Sequence, residues 1–347
     1  MIDGMIIVDA VVHPWNMSPE NQNPAAQAQI DAVYASHKLS YDSANANYIL
    51  QPDEFFRDFD FDVIAQAEFV ESPVDYAVLH SLPNLGFGLG HITLPEKCAE
   101  FRDRFPHRTK MLGTVGTPIA ATAIEEIRRQ HGELGIDGVK LYPAFFYDGK
   151  GEGWRMDGED WATPFLEEVR KLGLTRIAIH KALWLEPAPK SAFNIDDMGA
   201  PLDRFPDMTF EIVHGGAAFL EETIRLMQKH PNLYLTLETT FSYILTKPRV
   251  FAKILGRLVT DLGSDRLMFA SGNNLAHPNP LIEAFEGYQF LDEHIQEFDI
   301  RELSEVDRRN IMGLNAAKLY GFDHGPIDDE FSRARAKAVP GPWSMLR

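Results

Sequence analysis

Short apolar runs and amphipathic stretches alternate along almost the whole chain. MIIVDA (Met5–Ala10), YAVLHS (Tyr76–Ser81), MLGTVGT (Met111–Thr117) and GVKLYP (Gly138–Pro143) form a first set of candidate strands. RIAIHKA (Arg176–Ala182), FEIVHGG (Phe210–Gly216), LYLTLET (Leu233–Thr239) and RLMFASG (Arg266–Gly272) form a second. Between them, stretches such as AATAIEEIRRQHG, WATPFLEEVRKLG and FLEETIRLMQKHP repeat apolar residues at three and four spacing and stop at Gly or Pro, the pattern of helices with one buried face. Near-continuous apolar strands alternating with such helices mean parallel strands covered by helices. About eight such units favour an α/β fold of the closed (β/α)8 barrel type over an open sheet.

The polar segment 16–58, rich in Asn, Gln and Ala, interrupts the first unit and reads as an insertion over the barrel mouth or a subunit contact; a closing helix is expected over 303–322. No linker splits the chain, so one domain over 1–347 is expected. The N-terminal MIDGMIIVDA shows no basic leader with a long apolar stretch, and no apolar run approaches the roughly 20 residues that span a bilayer. At 347 residues, 45% hydrophobic, the chain is long enough for one large core. A net charge of -18, from 51 acidic and 33 basic residues, disfavours nucleic acid and anionic membranes as partners. Cys98 is the single cysteine, which excludes an internal disulfide or a multi-thiolate metal site and fits the cytoplasm.

In a barrel of this kind the chemistry sits at the C-terminal ends of the strands. His13, His80, His180 and His214 fall at or just after such ends, and His277 lies in the loop after the last strand. His37, His91, His107, His131, His230, His294 and His324 fall in loops or at helix ends, where a solvated ring is the ordinary expectation. A strand-end histidine can be a satisfied core residue, a proton carrier or a metal ligand. Three converging on one mouth favour a divalent metal, zinc first, with iron or manganese as alternatives, because neutral imidazole suits these ions.

The motifs IIVDAVVHP, GVKLYP, IAIHKA, IVHGGAAFL, RLMFASG and LSEVDRRNIMGLNAAKLYGF together make the chain resemble the amidohydrolase superfamily, in its aminocarboxymuconate semialdehyde decarboxylase-like branch. In that family the first strand ends in His-x-His, strands five and six each give a histidine ligand, and strand eight ends in an aspartate. The resemblance therefore implies His13, His180 and His214 as ligands. Val11 and Gly272 depart from it at two donor positions, leaving Asn273, Asn274 or Glu238 to complete a mononuclear sphere. Lys140 stands where some relatives carry a carbamylated lysine, and reads here as an ammonium for a substrate carboxylate or as a salt-bridged core lysine. His80 or His277 would move a proton, and hydrolysis would be slow unless another base replaced the missing aspartate. Trp15, Phe145, Phe146, Tyr147, Trp154 and Trp184 follow strand ends and offer an aromatic wall.

The resemblance implies a decarboxylase or hydrolase of a small or aromatic carboxylate. The lost donors suggest an alternative: a non-catalytic companion subunit of a non-haem di-metal monooxygenase component on the same fold. A homo-oligomer, or a hetero-oligomer with a homologous subunit, is expected.

Overall fold

The computed structural model describes residues 4–83, 88–147, 150–186, 188–323, 327, 329–336 and 341–347. Ten strands occur among them: β1 (Val8–Val12), β2 (Tyr76–His80), β3 (Thr109–Thr114), β4 (Gly138–Leu141), β5 (Ala144–Tyr147), β6 (Lys150–Gly153), β7 (Arg176–His180), β8 (Thr209–Val213), β9 (Leu233–Thr236) and β10 (Leu267–Met268). Eight of them form one all-parallel sheet in the order β1-β2-β3-β4-β7-β8-β9-β10. The sheet closes on itself through Ala10 N donating to Phe269 O (3.1 Å) and Gly272 N to Val11 O (3.1 Å). The expected barrel is thus present. Its first strand starts three residues later than the expected Met5, and its last ladder pair is only two residues long.

The helices follow from the three and four spacing. In Ala162–Lys171 the residues Ala162, Phe165, Leu166 and Val169 make one buried stripe against the sheet, while Arg170 and Lys171 end the helix in solvent, where they favour its negative pole. Pro248 starts the 15-residue helix Pro248–Leu262 and Gly263 stops it. The closing segment is helical in three pieces, Glu305–Arg309, a π turn Asn310–Leu314 and Asn315–Tyr320, with Ser304 capping the first. The barrel interior is filled by Val8, Ala10, Val78, Leu112, Ala178, Met268 and Ala270, so it is a packed floor and not a channel. Among the described residues no helix is long and apolar enough to cross a membrane.

β5 and β6 form an antiparallel hairpin outside the barrel, in a stretch where no strand was expected. The segment after β1 is not featureless either: it carries the helix Gln27–Lys38, which lies over the mouth. His37 locks it there and is not solvated, contrary to expectation. Its Nδ1–H donates to Leu275 O (2.8 Å) and its Nε2 accepts from Leu50 N (2.9 Å), so both nitrogens are used only while the ring is neutral. Burial pushes its pKa down to about 4, against 6.5 in an unfolded chain.

The folded state therefore binds fewer protons than the unfolded one between these values, and stability is lost as pH falls from about 6.5 to about 4. The loss due to His37 is expected to reach roughly 3 kcal/mol. Chemical unfolding at pH 7 and pH 4.5 checks this: the gap between the parent and His37→Gln should narrow on acidification. A gap independent of pH contradicts it. His230 and His294 are also buried, whereas His324 lies outside the described residues.

Candidate active site

Residues singled out in the sequence for chemistry, His13, Lys140, His180, His214 and Glu238, meet in one pocket at the C-terminal mouth of the barrel, with Trp15 also lining it. Its walls are apolar, with Val11, Met17, Val33, Leu82, Ile92, Leu183 and Leu185 among them. Its cavity volume is about 130 Å³, of the order of the roughly 150 Å³ apolar cavities that take up benzene. Val33, Ser36, Leu183 and Leu185 are shared with an open groove between the Gln27–Lys38 helix and the loop after β7, which makes that groove the entrance.

His214 is aimed by a sharp turn. His214, Gly215 and Gly216 all take left-handed φ values, of 73°, 63° and 62°. Glycine is needed after the histidine because a side chain in that conformation is strained, and a Cβ on Gly216 would also fall 2.6 Å from Thr223 Cγ2. Thr240 Oγ1 donates to His214 O (2.8 Å) and Gly215 N to Thr236 O (2.9 Å), pinning the turn to the next strand.

The hydrogen bonds fix the tautomers. His180 Nε2–H donates to Leu183 O (2.8 Å), so His180 Nδ1 carries the lone pair and accepts from His214 Nε2–H (2.9 Å). His214 Nδ1 then faces Glu238 Oε2 in a close ion-pair contact, and neither atom has another partner. Two lone-pair atoms cannot face each other so closely without a cation between them, so the pair holds one shared proton. Burial pushes the Glu238 carboxyl up, but the opposed His214 charge, with hydrogen bonds from His214 and Thr239, holds it below the usual carboxylate range. His13 donates through Nδ1–H to His80 O (2.9 Å), which leaves its Nε2 lone pair unused, and burial pushes its pKa down to about 4. His180 is likewise held well below the usual histidine range, by burial and then by the neighbouring His214 and Lys140.

Glu238 occupies the place that Gly272 vacates. A Cβ on Gly272 would fall 2.9 Å from Glu238 Cγ and 3.0 Å from its Cδ, and closer still to Oε1, with φ at 72°. The carboxylate just beyond the neighbouring strand β9 therefore fills the space beside Gly272. Gly272→Asp, the substitution that would rebuild the family motif, should accordingly destabilise the fold by about 1–3 kcal/mol, from strain and overlap. Adding Glu238→Ala should recover part of the loss. Urea midpoints of the two variants measure this, and a single variant as stable as the parent would contradict it.

Lys140 is about 1% exposed and points into this pocket. Its ammonium makes no hydrogen bond or ion pair with any described residue and lies 4.8 Å from the ring centre of Tyr142. Burial pulls its pKa down to about 7, against the raising effect of Glu238 and Glu211. Tyr142, which the sequence reading did not single out, stacks on His180 at 4.8 Å and so supports both groups.

Other expected residues lie elsewhere. Asn273 turns away, its Nδ2 donating to Glu68 Oε1 (2.6 Å), and Asn274 Nδ2 donates to His13 O (3.1 Å). His277 is buried against Glu71 (2.9 Å) and caps the helix Pro278–Phe285 by accepting from Asn279 N (3.2 Å). His80 lies beneath His13, edge-on at 6.0 Å, without lining the pocket. Of the aromatic wall, Trp15 stacks on His13 and Trp184 stands at the entrance, while Phe145 and Trp154 pack on Trp161. The side chains of Phe146 and Tyr147 lie outside the described residues.

Among the described residues no three His, Cys, Asp or Glu side chains are arranged to hold a metal ion. The nitrogens of His180 and His214 are spent on each other, and a buried ammonium shares their pocket. The donor set as it stands does not fit the expected metal.

An amidohydrolase family model matches residues 8–322. The chain belongs to the amidohydrolase family. Solved structures similar to this amidohydrolase include an uncharacterized TIM-barrel protein from Bordetella bronchiseptica, at 16% identity and a TM-score of 0.64 over 91% of this chain and 99% of that one. A 2,6-dihydroxybenzoate decarboxylase from Rhizobium matches at 15% identity and a TM-score of 0.53, over 91% and 99%. A dihydroxybenzoic acid decarboxylase from Polaromonas, solved with manganese and the inhibitor 2-nitroresorcinol, matches at 15% and 0.54, over 92% and 97%. At these identities the likeness is one of fold. No curated protein matches the amidohydrolase chain.

Proposed function

We propose that this amidohydrolase acts on a small carboxylate with an apolar or aromatic body, as a decarboxylase or hydrolase. The observation that carries the reading is the His214–Glu238 proton pair placed in the same apolar-walled pocket as the unpartnered Lys140 ammonium. The structural relatives that act on dihydroxybenzoates support the aromatic form of the substrate.

Lys140 would take the anionic oxygens, because an ammonium buried without a partner gains most from an anion. The apolar walls would enclose the body and exclude water. In decarboxylation the carbon–carbon bond to the carboxylate breaks, its electron pair stays on the ring carbon, the proton of His214 forms the new C–H bond, and carbon dioxide leaves. Solvent then returns the proton to the pair. In hydrolysis the deprotonated pair would take a proton from water, so Glu238 answers the want of a base that Gly272 created. His180 holds the His214 ring in place from the other side. A proton held between His214 and Glu238 would suit the acid step of decarboxylation.

The companion-subunit alternative draws on the lost donors and on segment 16–58 as a docking element, and no feature of this site favours it. The test is a panel of hydroxybenzoates, aryl esters and lactones incubated with the purified chain, with carbon dioxide and acid release followed separately. Turnover of a carboxylate of this class at about 1 per second or faster is expected. No release above the uncatalysed rate from any member would defeat the reading.

A further inference from the structure

We propose that Lys140 supplies the positive charge that a bound metal would bring to this pocket, so that the site binds its carboxylate and operates without a metal ion. The inference rests on the functional reading above and goes beyond it by naming the cation. Two positions where the family places donors offer none: Val11 is part of the apolar wall, and Gly272 has no room for a side chain because Glu238 fills it. The remaining nitrogens are directed to protein partners, His180 to Leu183 and His214, and His214 to His180 and Glu238. Only His13 Nε2 and the pocket face of the Glu238 carboxylate remain, and no three-donor group exists among the described residues.

Into this pocket the chain places an ammonium that no described residue pairs. A divalent ion beside it would add like charge in a largely apolar pocket, where repulsion is less screened than in bulk water. The Glu238 carboxylate is engaged with His214, so Lys140 is left as the pocket's cationic group for an incoming anion. Glu211 lies deeper, its two oxygens already accepting from Tyr320 (2.5 Å) and Thr236 (3.0 Å) and not from the ammonium. An ammonium is a compact charge with three donors, suited to holding two carboxylate oxygens or an adjacent oxyanion. It cannot acidify water as a metal does, and in this chain proton movement falls to His214 and Glu238.

The experiment uses the full chain expressed with manganese and zinc in the medium and benzoate as the probe. Metal content is measured after dialysis, and benzoate affinity by calorimetry before and after treatment with EDTA and after adding back Mn²⁺ or Zn²⁺. The expected result is metal far below one per chain and a benzoate Kd unchanged by either treatment. Lys140→Met keeps the length and apolar stem, so its melting temperature should match or exceed that of the parent, while benzoate binding weakens about 10–100-fold. Lys140→Arg should restore part of it.

One firmly held metal per chain whose removal abolishes benzoate binding would overturn the proposal. So would a Lys140→Met variant, or a parent, whose benzoate binding shows no dependence on the ammonium. Failure of the turnover panel would defeat the enzymatic reading alone, since metal content and benzoate binding are read without catalysis.

Discussion

Glu238→Gln should reduce kcat by about 10²–10⁴ while changing the KM for a carboxylate substrate by much less. The glutamate makes one polar contact that matters to chemistry, its Oε2 against His214 Nδ1, and among the described residues its side chain is otherwise tied only to Thr239 through Oε1 (2.9 Å). A glutamine has the same length and fills the same space beside Gly272, so the pocket keeps its shape. It lacks the negative charge that holds a proton on the imidazole. The His214–His180 hydrogen bond would remain, leaving an imidazole oriented as before but without the proton it delivers. Steady-state kinetics on the substrate found in the panel, with circular dichroism to show the fold intact, separates the two parameters. Equal losses in kcat and in affinity would assign Glu238 to binding instead.

Lys181→Met should destabilise the protein by about 3–5 kcal/mol, the largest stability effect expected of any single change considered. Lys181 and Asp197 form an ion pair at 2.7 Å with both side chains fully buried. The lysine also donates to Ala192 O (2.7 Å), and Asp197 Oδ2 accepts from Met156 N (2.8 Å). Burial pushes the lysine down and the aspartate up from their ordinary values, so each is charged mainly because of the other. Removing the lysine leaves Asp197 either charged in an apolar setting or protonated against its usual preference.

The cost should fall on function too. The loop that this pair braces supplies the Leu183 carbonyl that orients His180, along with the Leu183 and Leu185 walls. Lys181→Met with Asp197→Leu removes both charges and should recover most of the stability, as exchanging a buried pair for apolar groups often does. Urea unfolding of the single and double variants decides this. A single variant within 1 kcal/mol of the parent would show that the pair is not what holds the loop.

The barrel was legible because its strands are buried on both faces and so read as continuous apolar runs between amphipathic helices. The hairpin Ala144–Tyr147 and Lys150–Gly153 was not, since KGEG has neither β-branched residues nor an apolar face and owes its conformation to pairing. The convergence of His13, His180 and His214 could be read from strand-end placement alone. The role of Glu238 could not, because its meeting with Gly272 joins two strands across space and depends on the left-handed turn at the glycine.

Asn273 and His277 were misleading for the same reason. After Gly272 the chain turns outward, to Glu68 and to Glu71, and sequence proximity to the mouth does not survive that turn. His37 sat in a polar stretch that gave no sign of burial. Its partners, Leu50 and Leu275, are backbone groups that no side-chain pattern reveals. Tyr142 had a signal, lying two residues beyond Lys140 and so on the same face of an extended chain.

The most direct measurement of the central claim is a crystal structure of the protein with benzoate. The account predicts the carboxylate within hydrogen-bonding distance of Lys140 Nζ, the ring between Val33, Leu183 and Leu185, and the carboxyl-bearing carbon facing His214. A benzoate bound in another part of the molecule, or one in this pocket with its carboxylate turned to the entrance and Lys140 still unpaired, would contradict it.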